Sequence, residues 1–283
     1  MSAANVYMGP RGNLVLVPAP AASPDYTPVG WSAKTQYLNG GVGVKTSRAT
    51  HKEYALTWNA TTRDRIRPIM DIYSGMLGTG LIYYCDPVAL DANVMPQGWA
   101  FPALASLDGP VLISTGANVT RPAAIATPAN TLGYPATSVA YAAGTATSLF
   151  VPILPGYVLW FGWHGSGTGG VQITPAVSAT VSAAAVFPAA LLVTDPTRFN
   201  ASFAGSSYVG VDISLVGGGS VFSGLIAHLL PVGVTPSTGG FVSGQGNSGC
   251  SFETAPTMTP YVVANGMDLV GASGKLIEVG SWL

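Results

Sequence analysis

Charge is what this sequence lacks. Asp, Glu, Lys and Arg make up 8% of its 283 residues, against roughly a quarter in ordinary soluble domains. The formal net charge is −1, so no basic field exists to hold nucleic acid or an anionic membrane surface. Cysteine is scarce too. Cys85 and Cys250 are the two in the chain, and so distant a pair reads as two buried thiols rather than a bridge. A chain of this length buries roughly three quarters of its unfolded surface and needs no disulfide or metal staple. The three histidines, His51, His164 and His228, have no paired spacing, and neither cysteine has a close partner, so no metal set is expected. His228 alternates with apolar residues and reads as a strand histidine.

Long membrane-type runs are also missing. Thr174–Thr194 reaches the length of a span, about 20 residues, but carries five Ser and Thr residues and Pro188, without flanking Lys or Arg. The opening MSAANVYMGPRGN lacks the basic-then-apolar pattern of a signal peptide. No membrane insertion is expected, and the chain reads as made and retained in the cytosol until it is assembled.

What the sequence has in abundance is apolar residues and turn formers. Mean hydropathy is +0.40, and a surface with so little charge is usually covered by other subunits. Gly (36) and Pro (22) punctuate short apolar runs, which describes strands joined by turns. Tyr54, Leu56 and Trp58 alternate onto one face, as do Val209, Val211, Ile213 and Leu215, with Gly210, Asp212 and Ser214 opposite. Tyr157–Trp163 is apolar on both faces and suits a central sandwich strand. One segment has helical spacing, with Ile66, Ile69, Met70 and Tyr73 in phase, Thr61 or Thr62 as N-cap and Gly75 as stop. This predicts one helix over about 62–75, begun near Ile66 or kinked by Pro68.

Charge then divides the chain. Residues 1–105 hold eight basic and six acidic residues, whereas 106–235 hold two and three, and none lies between Arg121 and Asp195. Such a break predicts two domains with different neighbours. The stretch Gly80–Leu104 becomes an inter-domain joint, with Asp86-Pro87 as a turn. The expected fold is mainly β. An N-terminal β domain with one helix spans 1–105, a β-sandwich 106–235, and a C-terminal loop and strand (236–283) pack back on the first domain.

Catalytic signals are weak. Gly162–Gly170 has His164 two residues before Ser166, where a nucleophile elbow needs Gly, so it reads as a strand-ending turn. Gly271–Leu276 has Leu276 where a phosphate loop needs Ser or Thr. A glycosidase needs two carboxylates across a cleft, and of Asp108, Asp195 and Asp212 two adjoin turn signals. No enzyme and no cofactor are expected, although an esterase or glycosidase using Ser166 or Asp212 stays open. A carbohydrate site is a further possibility, from Tyr157, Trp160, Trp163 and His164, against the reading of core aromatics with a loop histidine. Arg63, Arg65 and Arg67 with Asp71 form either a subunit interface or a solvated helix face with i,i+4 pairs.

The stretches Arg67–Pro87, Asn93–Leu104 and Val151–Gly170, with the closing GNSGCSFETAPTMTPY and LIEVGSWL, resemble minor tail proteins of long-tailed bacteriophages. The likeness is to distal tail and tail-tip proteins of actinobacterial phages. The resemblance implies a virion protein of the phage tail, assembled in the host cytoplasm. It implies a homo-oligomeric ring, hexameric or trimeric, that joins the tail tube to tail hub, tip and receptor-binding proteins. It also implies an outward sandwich of the galectin-like or carbohydrate-binding-module kind. The alternative is an adhesin module that recognises a host envelope glycan.

Overall fold

The computed structural model describes residues 5–21, 26–29, 32–36, 42–46, 51–85, 93–100, 119–123, 138–141, 149–166, 170–177, 201–205, 208–216, 220–236, 244, 246–247, 249–261 and 268–279. The Asp86-Pro87 turn, Asp108, Asp195, the boundary near 105 and nearly all of Thr174–Thr194 lie outside them.

Strands β1 (Asn5–Pro10), β2 (Val15–Pro18), β3 (Tyr26–Val29), β4 (Ser32–Gln36), β5 (Val42–Thr46) and β6 (His51–Thr62) come first. Helix α1 (Arg63–Tyr73), β7 (Ile82–Cys85) and the single turn α2 (Gln97–Ala100) follow. The central region supplies β8 (Val119–Ala123), β9 (Ser138–Tyr141), β10 (Leu149–Pro152), β11 (Tyr157–Ser166), β12 (Gly170–Val177), β13 (Ala201–Ala204), β14 (Tyr208–Val216) and β15 (Ser220–Pro231). Last come β16 (Cys250–Pro260) and β17 (Leu269–Glu278). The fold is mainly β, as the spacing of Gly and Pro predicts.

Seven strands form one sheet in the order β2-β1-β7-β16-β17-β6-β3. The C-terminal hairpin therefore sits in its middle, β17 pairing with β6 from Leu269↔Thr62 to Ile277↔Glu53. Two strands from the far end of the chain, β16 and β17, thus lie between β7 and β6. Tyr54, Leu56 and Trp58 are all buried on one face of β6, as their alternation requires. They meet Leu276, Val6 and Met8 from the sheet and Ile66, Ile69 and Ile72 from α1. Each fully buried Ile contributes about 1.5–3 kcal/mol by leaving water.

Helix α1 has Thr62 at its N-cap in an extended conformation, without a side-chain cap bond. It starts at Arg63 and runs through Pro68 rather than beginning near Ile66. The end falls where Gly75 predicts. Ser74 and Gly75 donate to the carbonyls of Met70 and Ile72, and Gly75 adopts φ +75°, which glycine enters without Cβ strain.

The central strands form a three-stranded sheet, β10-β14-β12, and a five-stranded sheet, β13-β11-β15-β9-β8. Leu149, Val151, Val171, Ile173, Val211 and Ile213 from the first share a core with Leu159, Phe161, Phe203, Leu225 and Leu229 from the second. β11 lies between β13 and β15, so Tyr157–Trp163 occupies an interior strand, as its two-faced apolar pattern predicts. The other face of β10 and β14 carries Phe150 and Asp212, which pair directly across the ladder. That face meets the N-terminal sheet. Tyr83 packs edge-on against Phe150 with centroids 5.1 Å apart, and Arg11 lies 4.7 Å above the same ring while pairing with Asp212.

Candidate functional site

Of the residues the sequence offers for sugar binding, Tyr157 and Trp160 lie on opposite sides of β11. Tyr157 packs against the sandwich core, on the same side of β11 as buried Leu159 and Phe161. Trp160 has the opposite parity and points away from that core. Its neighbour across the ladder is His228, which is buried, as is nearby Ile226. The far side of this sheet is therefore covered around Trp160, and the indole N–H is itself buried with no hydrogen-bond partner among the described residues. Trp163 and His164 hold strand positions opposite Leu225 and Gly224; their side chains lie outside the described residues. His228 is a strand histidine, as its apolar setting predicts.

The charged set on α1 is exposed. Arg63 pairs with Asp268 at 2.8 Å, and Arg67 reaches Asp71 one helical turn away at 4.0 Å. Pairs this exposed contribute at most about 1 kcal/mol. Arg65 extends into solvent with no partner among the described residues. Tyr73, the last residue of the helix, and Met76 just beyond it are 48% and 73% exposed, and Tyr73 packs edge-on against Phe252 of β16 at 5.5 Å.

Asp212, a carboxylate available for hydrolysis by sequence, instead holds the two parts of the molecule together through Arg11. Among the described residues no group of His, Cys, Asp and Glu could hold a metal ion. No described helix is long and apolar enough to cross a membrane.

Two polar clusters had no motif to announce them. The first is the joint. Asn93 is fully buried, and its side-chain oxygen accepts from the backbone N–H of Ala227 (3.0 Å) and of Met95 (3.1 Å). Its amide donates to the Leu225 carbonyl at 3.3 Å, and Val94 N–H donates to the Ala227 carbonyl at 2.8 Å. The carboxamide thus acts as an extra peptide group along β15. Met95 and Trp99 then insert into the sandwich core.

The second cluster lies where β6, β17 and the start of β16 meet. Lys52 Nζ donates to the Gly246 carbonyl at 2.8 Å, and Lys52 N–H donates to Glu278 Oε2 at 3.0 Å. Asn247 Nδ2 donates to the Tyr84 carbonyl at 2.8 Å. Tyr54 and Tyr84 pack with ring centroids 5.2 Å apart, and the Asn247 carboxamide lies beside the Tyr54 hydroxyl. Burial lowers the pKa of the Lys52 ammonium, against the pull of the Glu278 carboxylate. Burial likewise raises the Tyr54 hydroxyl and the Cys250 thiol, Glu278 adding to both. A cleft of about 10 Å3, room for one water, lies beside Asn247, Tyr83, Tyr84, Cys85 and Leu229. Both cysteines are free and buried, as expected.

No family model, curated protein or solved structure matches this chain. What the arrangement can do must therefore come from its own chemistry.

Proposed function

We propose that this chain is a structural protein of a phage tail tip, forming a homo-oligomeric ring that joins the tail tube to tip and receptor-binding components. The observation that carries the assembly reading is the apolar surface at the end of α1. Met76 is nearly three-quarters exposed beside half-exposed Tyr73, on a chain with 8% charged residues to keep it soluble. Exposed apolar side chains next to arginines are the composition of subunit interfaces. A ring buries two such patches per subunit through one repeated contact. The setting in a phage tail rests on the resemblance of Arg67–Pro87 and Val151–Gly170 to minor tail proteins. The firm joint between the sandwich and the seven-stranded sheet suits a part that transmits position rather than one that turns over substrate.

The test is native mass by light scattering, with negative-stain images of the same peak. A closed trimeric or hexameric ring is expected, and Tyr73→Ser with Met76→Ser should shift the peak to monomer. A wild-type monomer at high concentration would overturn the assembly reading.

A further inference from the structure

We propose that Lys52 and Asn247 are joined by a self-formed amide bond, with Glu278 as the proton carrier. The inference is independent of the assembly reading, since it rests on the side chains gathered at one end of the seven-stranded sheet.

An amide cross-link needs an uncharged amine, a carboxamide within reach, a proton carrier beside both, and restricted access to water. Lys52 and Glu278 lie on neighbouring strands and are tied through the Lys52 backbone N–H. The Lys52 side chain crosses toward β16, where Nζ bonds the carbonyl of Gly246, the residue directly before Asn247. Asn247 is held in place, its Nδ2 donating to the Tyr84 carbonyl. Its Oδ1 is buried and finds no donor among the described residues, so this oxygen is the one left to take up a proton. Tyr54 and Tyr84 wall the cluster. Burial also favours the neutral amine of Lys52, which is the form that attacks.

The atoms balance without an oxidant or cofactor. Glu278 takes a proton from the Lys52 ammonium, and the freed amine attacks Cγ of Asn247. The Glu278 carboxyl protonates the carboxamide oxygen as the tetrahedral centre forms. That centre collapses as the attacking nitrogen gives one proton to Nδ2 and the hydroxyl gives a second by way of Glu278; the carbonyl re-forms, the Cγ–Nδ2 bond breaks, and the nitrogen leaves as ammonium. Glu278 returns to a carboxylate. The new bond ties β6 to the segment leading into β16, on either side of β17. It closes a covalent loop around every residue between Lys52 and Asn247, from β6 and α1 through the sandwich. Pulling on the sheet would then bypass the inserted domain, and closing so long a loop restricts the unfolded chain.

Intact mass spectrometry of the denatured protein tests this directly. Wild type should run about 17 Da below its sequence mass through loss of ammonia, with a branched peptide linking Lys52 to Asn247 after digestion. Lys52→Arg and the isosteric Glu278→Gln should both restore the full mass, either one sufficing if the other fails to fold. Full sequence mass in wild type overturns the proposal. So does a deficit that persists in Lys52→Arg, which would mark a succinimide at an asparagine instead.

Discussion

The side-chain oxygen of Asn93 accepts the backbone N–H of Ala227 at 3.0 Å, across 134 positions of sequence. With its amide on the Leu225 carbonyl, Asn93 replaces a missing strand along this part of β15. The joint between the two parts of the molecule is therefore a buried, hydrogen-bonded clasp. Removing it strands two backbone donors, the N–H groups of Ala227 and Met95, and one acceptor, the Leu225 carbonyl.

Asn93→Leu should destabilise the protein by about 3 kcal/mol or more, because each buried group left unpaired costs about 1–3 kcal/mol. Urea unfolding followed by tryptophan fluorescence measures this, with Trp99 of the joint as a local reporter. A loss under about 1 kcal/mol would mean that water or a shifted backbone satisfies Ala227 and Leu225.

Gly246 separates two explanations for a glycine. A Cβ there would lie 1.7 Å from the Val94 carbonyl oxygen, so Gly246→Ala must push the joint away from β16. Gly233 has φ +88° and nothing within 4 Å, so Gly233→Ala costs only the conformational strain, about 1 kcal/mol. The expected order is a folding failure or a large drop in melting temperature for the first and a small drop for the second. Equal effects would remove the steric argument.

Alkaline pH should weaken the fold. Burial pushes the Cys85 thiol from its ordinary 9.0 up to about 12 and the Tyr83 hydroxyl from 10.0 to about 12. The folded state keeps these protons while the unfolded chain releases them, so the unfolded state gains as pH rises. Stability is full below about pH 9 and falls progressively toward pH 12. A melting temperature flat from pH 8 to 11 would contradict this. Near neutral pH, where the fold is intact, a maleimide should leave both cysteines unlabelled in the native protein and label both after denaturation.

Arg11 and Asp212 link the N-terminal sheet to β14, but Arg11 is 54% exposed on its side chain. Screening by water limits the pair, so a double-mutant cycle with Arg11→Ala and Asp212→Ala should give a coupling of about 1 kcal/mol or less. Arg11 also covers the Phe150 ring, so Arg11→Lys should keep most of the charge term and lose the stacking. A coupling of several kcal/mol would mean that the pair is effectively dry.

The sequence by itself determined which residues face inward and where the helix stops. Alternation in Tyr54, Leu56 and Trp58 and in Val211 and Ile213 follows from the pleat, which places every second side chain on one face whatever the partner strand is. The end of α1 was equally local, since Gly75 tolerates the left-handed turn and its neighbours do not. Its start was less so, because Pro68 is accommodated within a helix supported by the packing of Ile66 and Ile69. Buried thiols were legible from the isolation of Cys85 and Cys250. Only the tertiary structure decided what depends on partners far along the chain. Asn93 reads as a loop residue until β15 is beside it, and Asp212 as a spare carboxylate until Arg11 reaches it. Lys52, Asn247 and Glu278 belong to no motif, for their meeting depends on β17 entering the sheet next to β6. Strand order is set by burial summed over the whole molecule, and no short stretch of residues carries it.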